Sequence, residues 1–365
     1  MAIHRGQPSG GPPDRGSARR APAPALRQPP ALLRDPARTA PGQLRDPDMI
    51  DRPESEPTPL DDAARAGWLY YVAGLTQDQI ARELGTSRQR AQRLVSRAIS
   101  ERLIHVRLEH RVSGCLHLEA ALTRRFGLKL ARVAPSIGAD VDPLPSIAPT
   151  AAAEVERVLR SERPMVVAFG TGRSLRATVE EMTSMVCEQH KIVSLNGNIS
   201  ADGSASYYDV IFRIADRVRA PHYPMPMPVI AQDAAERELF HALKPVQSVL
   251  RLARNADVTF VGLGQMGADA PLLKDGFITA AELEEMQQLG AAGEVAGWVF
   301  DSDGRYLETS INQRVAGVRV EISGDRTAVA IAGGKPKLAA LRAGLKGRLF
   351  NGLITDELTA QALLS

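Results

Sequence analysis

Two periodicities divide the chain. Between residues 60 and 99 apolar positions recur at helical spacing, whereas beyond residue 128 short apolar runs alternate with amphipathic stretches. Residues 60–73 read as a helix offering Trp68, Leu69 and Val72 for packing and ended by Gly74. Residues 76–95, TQDQIARELGTSRQRAQRLV, spell two short helices joined by a tight turn. Ile80 and Leu84 sit four apart and face one core, while Ala81 lets the second helix pack close. Gly85 stands where a helix ends in a left-handed residue, a conformation glycine adopts without steric cost. Thr86 or Ser87 caps the next helix, on which Ala91, Leu94, Val95, Ala98 and Ile99 form a buried stripe. Ile104, Val106 and Leu108 then alternate with polar residues, a strand signature that reads as a wing. A helix containing Leu118, Leu122 and Phe126 leads out of this module as a linker or dimer contact.

The second pattern is that of an α/β domain with a largely parallel sheet. Predicted strands cover residues 130–134, 165–169, 191–195, 258–262, 295–300, 328–332 and 349–354. Predicted helices cover 150–160, 174–189, 205–217, 234–253, 280–289, 336–343 and 356–364. Ligands bind such sheets at the carboxyl ends of strands, so candidate site residues should follow each strand.

Composition adds a third region. Residues 1–57 are rich in proline, arginine, alanine and glycine with little to fill a core, so they are expected to be a disordered tail. The preferred reading is that translation begins at Met49 and that the upstream stretch is a start-site artefact; the alternative is a basic arm adding nonspecific DNA affinity. The expected division is thus a tail over 1–57, a winged helix-turn-helix over 58–112 and an α/β domain over 113–365. A net charge of +3 argues against a uniformly basic coat and confines any DNA contact to a local patch. Two cysteines leave no disulfide framework, and no apolar run is long enough to span a membrane, which fits a cytoplasmic protein. Histidines 105, 110 and 117 match no common metal-ligand spacing, so no metal is expected.

Chemistry concentrates in a few places. The polar face of the second helix carries Arg88, Gln89, Arg90, Gln92, Arg93 and Arg97, with Thr76, Thr86 and Ser87 at the helix starts. Arginine suits guanine edges and phosphates, and glutamine suits adenine. In the other domain, Gly170, Thr171, Gly172, Arg173 and Ser174 join a strand to a helix, offering amides and hydroxyls to an anion or polyol. Asn196 and Asn198 follow the next strand, where amides can donate to and accept from hydroxyls. Gly262, Gly264 and Gly267 give GxGxxG after a strand, but Pro271 follows and no acidic strand end lies about 20 residues on, so a nicotinamide cofactor is rejected. Those glycines instead let backbone approach another ligand. Glu294 and Asp301 flank the predicted strand 295–300, and Lys335 and Lys337 stand at a helix start against its dipole, a placement that suits an anionic or hydroxyl-rich ligand.

A helix-turn-helix followed in order by GTGRSL, LNGN, SYYDVIFRIADR, VGLGQMG, GEVAGWVFD, AGGKPK and NGLITDELTA resembles the SorC family of bacterial sugar-responsive transcriptional regulators, over about residues 60–365. The resemblance implies an effector domain similar to glucosamine-phosphate deaminases and ribose-phosphate isomerases, a tetramer, and a sugar, polyol or sugar phosphate as effector. It assigns Thr171, Gly172, Arg173 and Ser174 to the sugar loop, Glu294 to the acid of a GEIxG-type motif and Lys337 to the lysine of a GGxxK motif, with Pro336 a departure inside that loop. The competing reading is a sugar-phosphate isomerase or deaminase with appended helices for oligomerisation. Against it, no paired acid and base stands out in the sequence.

Overall fold

The computed structural model describes residues 58–104, 106, 112–200, 203–205 and 210–365. The expected tail, the Met49 start, most of the wing strand, His105 and His110 lie outside the described residues.

Three helices, α1 (Pro59–Tyr71), α2 (Gln77–Glu83) and α3 (Arg88–Ser100), enclose a small core of Ala63, Ala66, Ile80, Ala81, Ala91, Leu94 and Val95. A capping box starts α2, Thr76 accepting from the Gln79 N–H while the Gln79 side chain accepts from the Thr76 N–H. The helix ends with Thr86 N–H donating to Ala81 C=O and Gly85 N–H to Arg82 C=O, Gly85 lying at φ 58°, the left-handed closure expected of this glycine. Ser87 caps α3, accepting from the Arg90 N–H at 3.2 Å. Packing departs from expectation at the large side chains: Trp68 is 60% exposed, Val72 59% and Ile99 39%. The reason lies at Gly67, where a Cβ would stand 2.7 Å from Ala98 Cβ and 2.6 Å from Ile104 Cδ1. So close an approach turns the small-residue face of α1 inward and leaves Trp68 outside.

The remaining elements are α4 (Ser113–Phe126), β1 (Leu130–Ala134), α5 (Leu144–Leu159), β2 (Val166–Phe169), α6 (Arg173–Glu181), β3 (Lys191–Ile199), α7 (Ile211–Val218), β4 (His222–Pro228), α8 (Ala234–Ala242), α9 (Lys244–Arg254), β5 (Val258–Val261), β6 (Gly264–Gln265), α10 (Pro271–Lys274), α11 (Ala280–Gln288), β7 (Ala291–Val295), β8 (Trp298–Asp301), α12 (Ser310–Arg314), β9 (Thr327–Ile331), α13 (Leu338–Lys346), β10 (Gly352–Asp356) and α14 (Glu357–Leu364). Seven strands form a parallel sheet in the order β1-β10-β9-β5-β2-β3-β4. One face packs α5, α6 and α7 through Val155, Leu175 and Ile214; the other packs α4, α9, α13 and α14 through Leu122, Leu250, Leu341 and Leu363. Both faces are therefore covered, as parallel sheets require. The helix expected to serve as linker or dimer contact, α4, is fastened inside this domain, with Leu122 fully buried and Arg125 bonded to the Leu364 carbonyl.

The strand order places the site. From β2 the chain proceeds outward to β3, and from β5 it proceeds the other way to β9, so β2 and β5 lie side by side at a topological switch point. Loops there diverge and leave a crevice at the strands' carboxyl ends. A small antiparallel sheet, β6-β7-β8, closes over that crevice on its own core of Met266, Leu283, Met286 and Val299.

Several element boundaries are corrected. The expected strand 295–300 is a hairpin whose turn, Ala296 (φ 52°) and Gly297 (φ 83°), has the two positive φ values of a type I′ connection, putting Glu294 on β7 and Asp301 at the end of β8. The expected helix 234–253 breaks at Leu243 because Pro245 starts α9. The helix expected over 174–189 stops at Glu181, after which Met185 and Cys187 donate to carbonyls at the end of α7. The helix expected over 205–217 begins at Ile211, and β4 had no counterpart in the pattern.

Candidate ligand pocket and DNA-facing helix

A cavity of about 140 Å³ opens at the switch point, lined by the loops after β2 and β5, by β3, by the β7–β8 hairpin and by the lysine turn before α13. Nine of the eleven sequence-predicted ligand residues line it: Thr171, Gly172, Arg173, Ser174, Asn196, Gly262, Gly264, Glu294 and Lys337. Gly170 lies buried behind them, a Cβ there reaching 3.6 Å from Asn196 Oδ1, and Asn198 falls outside, further along β3 where the β4 pairing shifts register. Sequence reasoning missed Val229, Leu272, Asp275, Phe277, Ala296 and Gly297. Of these, Asp275 carried a signal, the Asp-Gly turn in LLKDGF.

Each polar side chain is held by its element. Gly172, at φ 115°, turns the chain from β2 into α6 and presents Arg173 and Ser174 at the helix start. Arg173 Nη2 meets Asp275 Oδ1 at 2.8 Å. Glu294 Oε2 accepts from the Gly297 N–H at 2.8 Å, so the hairpin turn fixes the carboxylate it carries. Gly264 leaves room for that carboxylate, since a Cβ there would lie 2.2 Å from Glu294 Oε1. Gly334, at φ 94° and bonded through its N–H to Thr359 Oγ1 at 2.8 Å, swings the chain into the 3-10 turn Lys335–Lys337, and Pro336 within that turn does not keep Lys337 from lining the cavity. Asn196 is 2% exposed and its Oδ1 has no hydrogen-bond partner among the described residues.

Burial dominates the electrostatics. It pushes the Glu294 carboxyl above the usual carboxylate range despite the Gly297 N–H and the Lys337 charge, with Asp275 adding to the rise. It pushes the Lys337 ammonium down despite Glu294 and Asp142, with Arg173 adding to the fall. Asp275 is also raised by burial, against the pull of Arg173. The cavity thus sets two cations, Arg173 and Lys337, against two carboxylates, Asp275 and Glu294.

On α3, the predicted DNA-facing residues Arg88, Gln89, Arg90, Gln92 and Arg93 are exposed, Arg97 is half-buried, and Thr76, Thr86 and Ser87 sit at the helix starts. Arg88 pairs with Asp78 at 3.7 Å, Arg90 with Asp62 at 3.4 Å and Arg97 with Glu101 at 3.7 Å. Arg93 has no ion pair among the described residues. Such exposed pairs are worth roughly 0–1 kcal/mol and exchange readily for phosphate.

Among the described residues, a carboxylate of α6 bonds the segment that follows α3. Glu180, near the end of the helix that begins at the 170–174 loop, accepts from Arg176 Nε at 3.0 Å and from Arg102, which follows α3 in the left-handed region at φ 55°. Burial works to raise the Glu180 carboxyl, but the two arginines outweigh it and hold it below the usual range.

Residues 110–365 match the Sugar-bind family model, which describes a sugar-binding domain. The erythritol catabolism regulatory protein EryD of Brucella abortus is 37% identical over 303 residues, covering 83% of this chain and 96% of that protein. The transcriptional regulator LsrR of Klebsiella pneumoniae is 32% identical over 308 residues, covering 83% and 92%. The full-length sorbitol operon regulator SorC of Klebsiella pneumoniae superposes with a TM-score of 0.61 at 25% identity, covering 84% of this chain and 99% of that one.

Proposed function

The chain belongs to the SorC family of sugar-responsive transcriptional regulators, and from that premise we propose that its operator affinity is set by an uncharged polyol or sugar held in the cavity beside Lys337. The observation that carries this reading is the Asn196 Oδ1 acceptor, buried without a partner in a cavity that also holds ammonium, guanidinium, hydroxyl and carboxylate groups. A vicinal polyol supplies both the donors and the acceptors that such a lining calls for. Matched charges favour the unphosphorylated form, because a phosphate must first compete with Asp275 for Arg173. The cavity lies well below the ~300–1,000 Å³ of drug-sized sites, which points to a ligand of few carbons. EryD, named for erythritol catabolism, is a relative of that description.

In this reading α3 enters the major groove, paired modules read a two-fold symmetric operator, and the protein works in the cytoplasm as a homotetramer. The ligand controls operator binding only if it prefers one of two arrangements, since equal affinity shifts nothing. Helix α6 is the element placed to report it, carrying the sugar loop at one end and Glu180 with its Arg102 contact at the other.

Gel shifts on the protein's own upstream region, with tetritols to hexitols and their phosphates, test the proposal. Release by a free polyol supports it; no ligand-dependent release, or release by the phosphate alone, overturns it. Arg93→Ala is expected to weaken operator binding about tenfold or more, the cost of one lost phosphate or base contact. Glu180→Gln is expected to leave polyol affinity, read by calorimetry, unchanged while cutting the ligand-induced change in operator Kd, which in coupled systems is on the order of 5–150-fold. An unaltered change in that variant would remove α6 from the route.

One observation favours a second reading. A raised carboxyl and a lowered ammonium in one cavity, Glu294 and Lys337, are the perturbations that acid–base catalysts show. Turnover of pentose or hexose phosphates by the purified protein would establish an isomerase or deaminase; ligand-dependent DNA release without turnover supports the regulator.

A further inference from the structure

We infer that the effector domain holds a second ligand site, for a compact oxyanion, on the far side of the β7–β8 hairpin around Trp298 and Arg319. It goes beyond the polyol reading and does not depend on it. A cavity of about 680 Å³ lies there, within the size range of small-molecule sites, and its lining includes Trp298, Arg237, Arg254, Arg319 and Arg326.

What the cavity lacks is acceptors for its inner donors. Trp298 is 2% exposed, yet its indole Nε1 has no hydrogen-bond partner among the described residues. Arg237 Nε is buried without a partner as well, although Nη1 of the same side chain reaches Glu238 Oε1 at 3.2 Å. Arg319 lies over the Trp298 ring at 4.4 Å and the Tyr306 ring at 5.2 Å, and no hydrogen bond or ion pair engages its guanidinium among the described residues. Indole and guanidinium groups donate and cannot accept, so these groups cannot satisfy one another. A buried donor without an acceptor costs the full desolvation of that group, and only an acceptor-rich partner removes the cost. Charged donors and planar forks favour carboxylate or phosphate in that role.

Of the other charged groups of the lining, Arg254 is exposed. Arg326 is committed to Arg254 C=O at 2.6 Å and to Asn255 Oδ1 at 2.8 Å, whereas Glu308 and Glu321 are exposed. Four arginines against two glutamates leave the lining cationic. The place in the fold gives the site a consequence. Ala296 and Gly297 line the polyol cavity, and the next residue, Trp298, lines this one, so one hairpin is shared by both ligands.

Tryptophan emission provides the test, since the chain has two tryptophans, Trp68 and Trp298. In full-length protein carrying Trp68→Phe, Trp298 is the remaining indole, and inorganic phosphate and citrate are titrated at ionic strength held constant with chloride. The expected result is a saturable emission change with half-saturation at or below ~1 mM for at least one anion. The preferred anion tells phosphate chemistry from carboxylate chemistry. Arg319→Gln should weaken that binding about tenfold or more, the scale of a charge-assisted hydrogen bond, and Lys337→Met should leave it unchanged. If Arg319→Gln perturbs the fold by circular dichroism, Arg237→Gln takes its place with the same expectation. No saturable change with either anion overturns the proposal, as does binding indifferent to these arginines. So does a silent titration in which Arg319→Gln alters the sedimentation of the protein, which would make the surface a contact between copies.

Discussion

Lys337→Met will leave operator affinity within about twofold of the parent while raising the polyol concentration needed for half-maximal release by about 10–150-fold, the equivalent of the ~1.5–3 kcal/mol that a hydrogen bond to a charged group contributes. Methionine keeps the length and apolar stem of lysine, so the turn before α13 is expected to hold and the change to act on the cavity alone. Lys337 lines a cavity to which no residue of α3 contributes, so operator contacts are expected to be untouched. A half-maximal concentration unchanged by the substitution would take Lys337 out of the site. The same residue sets a pH signature. Glu294 accepts as a carboxylate, and its carboxyl is raised above 4.5, so polyol affinity should begin to fall on the acid side at a higher pH than an ordinary glutamate would give. Lys337 donates as an ammonium lowered from 10.5, so affinity should fall on the alkaline side earlier than for an ordinary lysine. Calorimetric titration across pH should therefore show a plateau narrowed from both ends, and Glu294→Gln should remove the Glu294 share of the acid limb and, with the carboxylate that supports the Lys337 ammonium gone, move the alkaline limb to lower pH.

Gly197→Ala will destabilise the protein by about 3 kcal/mol or more, which for a chain of this size lowers Tm by several degrees. A Cβ at Gly197 would stand 2.1 Å from the Pro228 carbonyl oxygen and 2.4 Å from that of Met227. Both are backbone atoms of β4, so no side-chain rotation relieves the overlap; the strands must part and uncover Met225 and Met227, now fully buried. Gly203→Ala provides the control. Gly203 sits at φ 83° with nothing among the described residues within 4 Å of its would-be Cβ, so it pays only the backbone strain of a left-handed alanine, about 1 kcal/mol. Equal losses in the two variants would show that β3 and β4 are not held so close. The position matters for function because Asn196, with its unpartnered oxygen, is the preceding residue on the same strand.

The turn between α2 and α3 was legible because every signal in it is local: a cap, a glycine and an apolar stripe within twenty-odd residues. The loops that line the cavity were legible one at a time for the same reason, as polar or glycine-rich segments after apolar runs. Their convergence was not, because the order β5-β2-β3 is set by packing between segments far apart in sequence. The hairpin at Ala296 was hidden by its own turn, since alanine stands where asparagine or glycine would announce a positive φ. Strand β4 was hidden by Pro224, Pro226 and Pro228, residues that argue against a strand anywhere but at an edge. Asp275 reaches the cavity from just past the end of a short helix that no periodicity marks.

The alternating prolines of β4 also bear on assembly. Tyr223 and Met225 pair with β3, so the nitrogens of Pro224 and Pro226 point away from the sheet along its outer rim, which is bare of hydrogen there. A strand from another molecule approaching that rim meets carbonyls with no N–H between them to complete a ladder. Polymerisation by sheet extension is blocked on this flank, and any contact another molecule makes there has to be cemented through side chains instead.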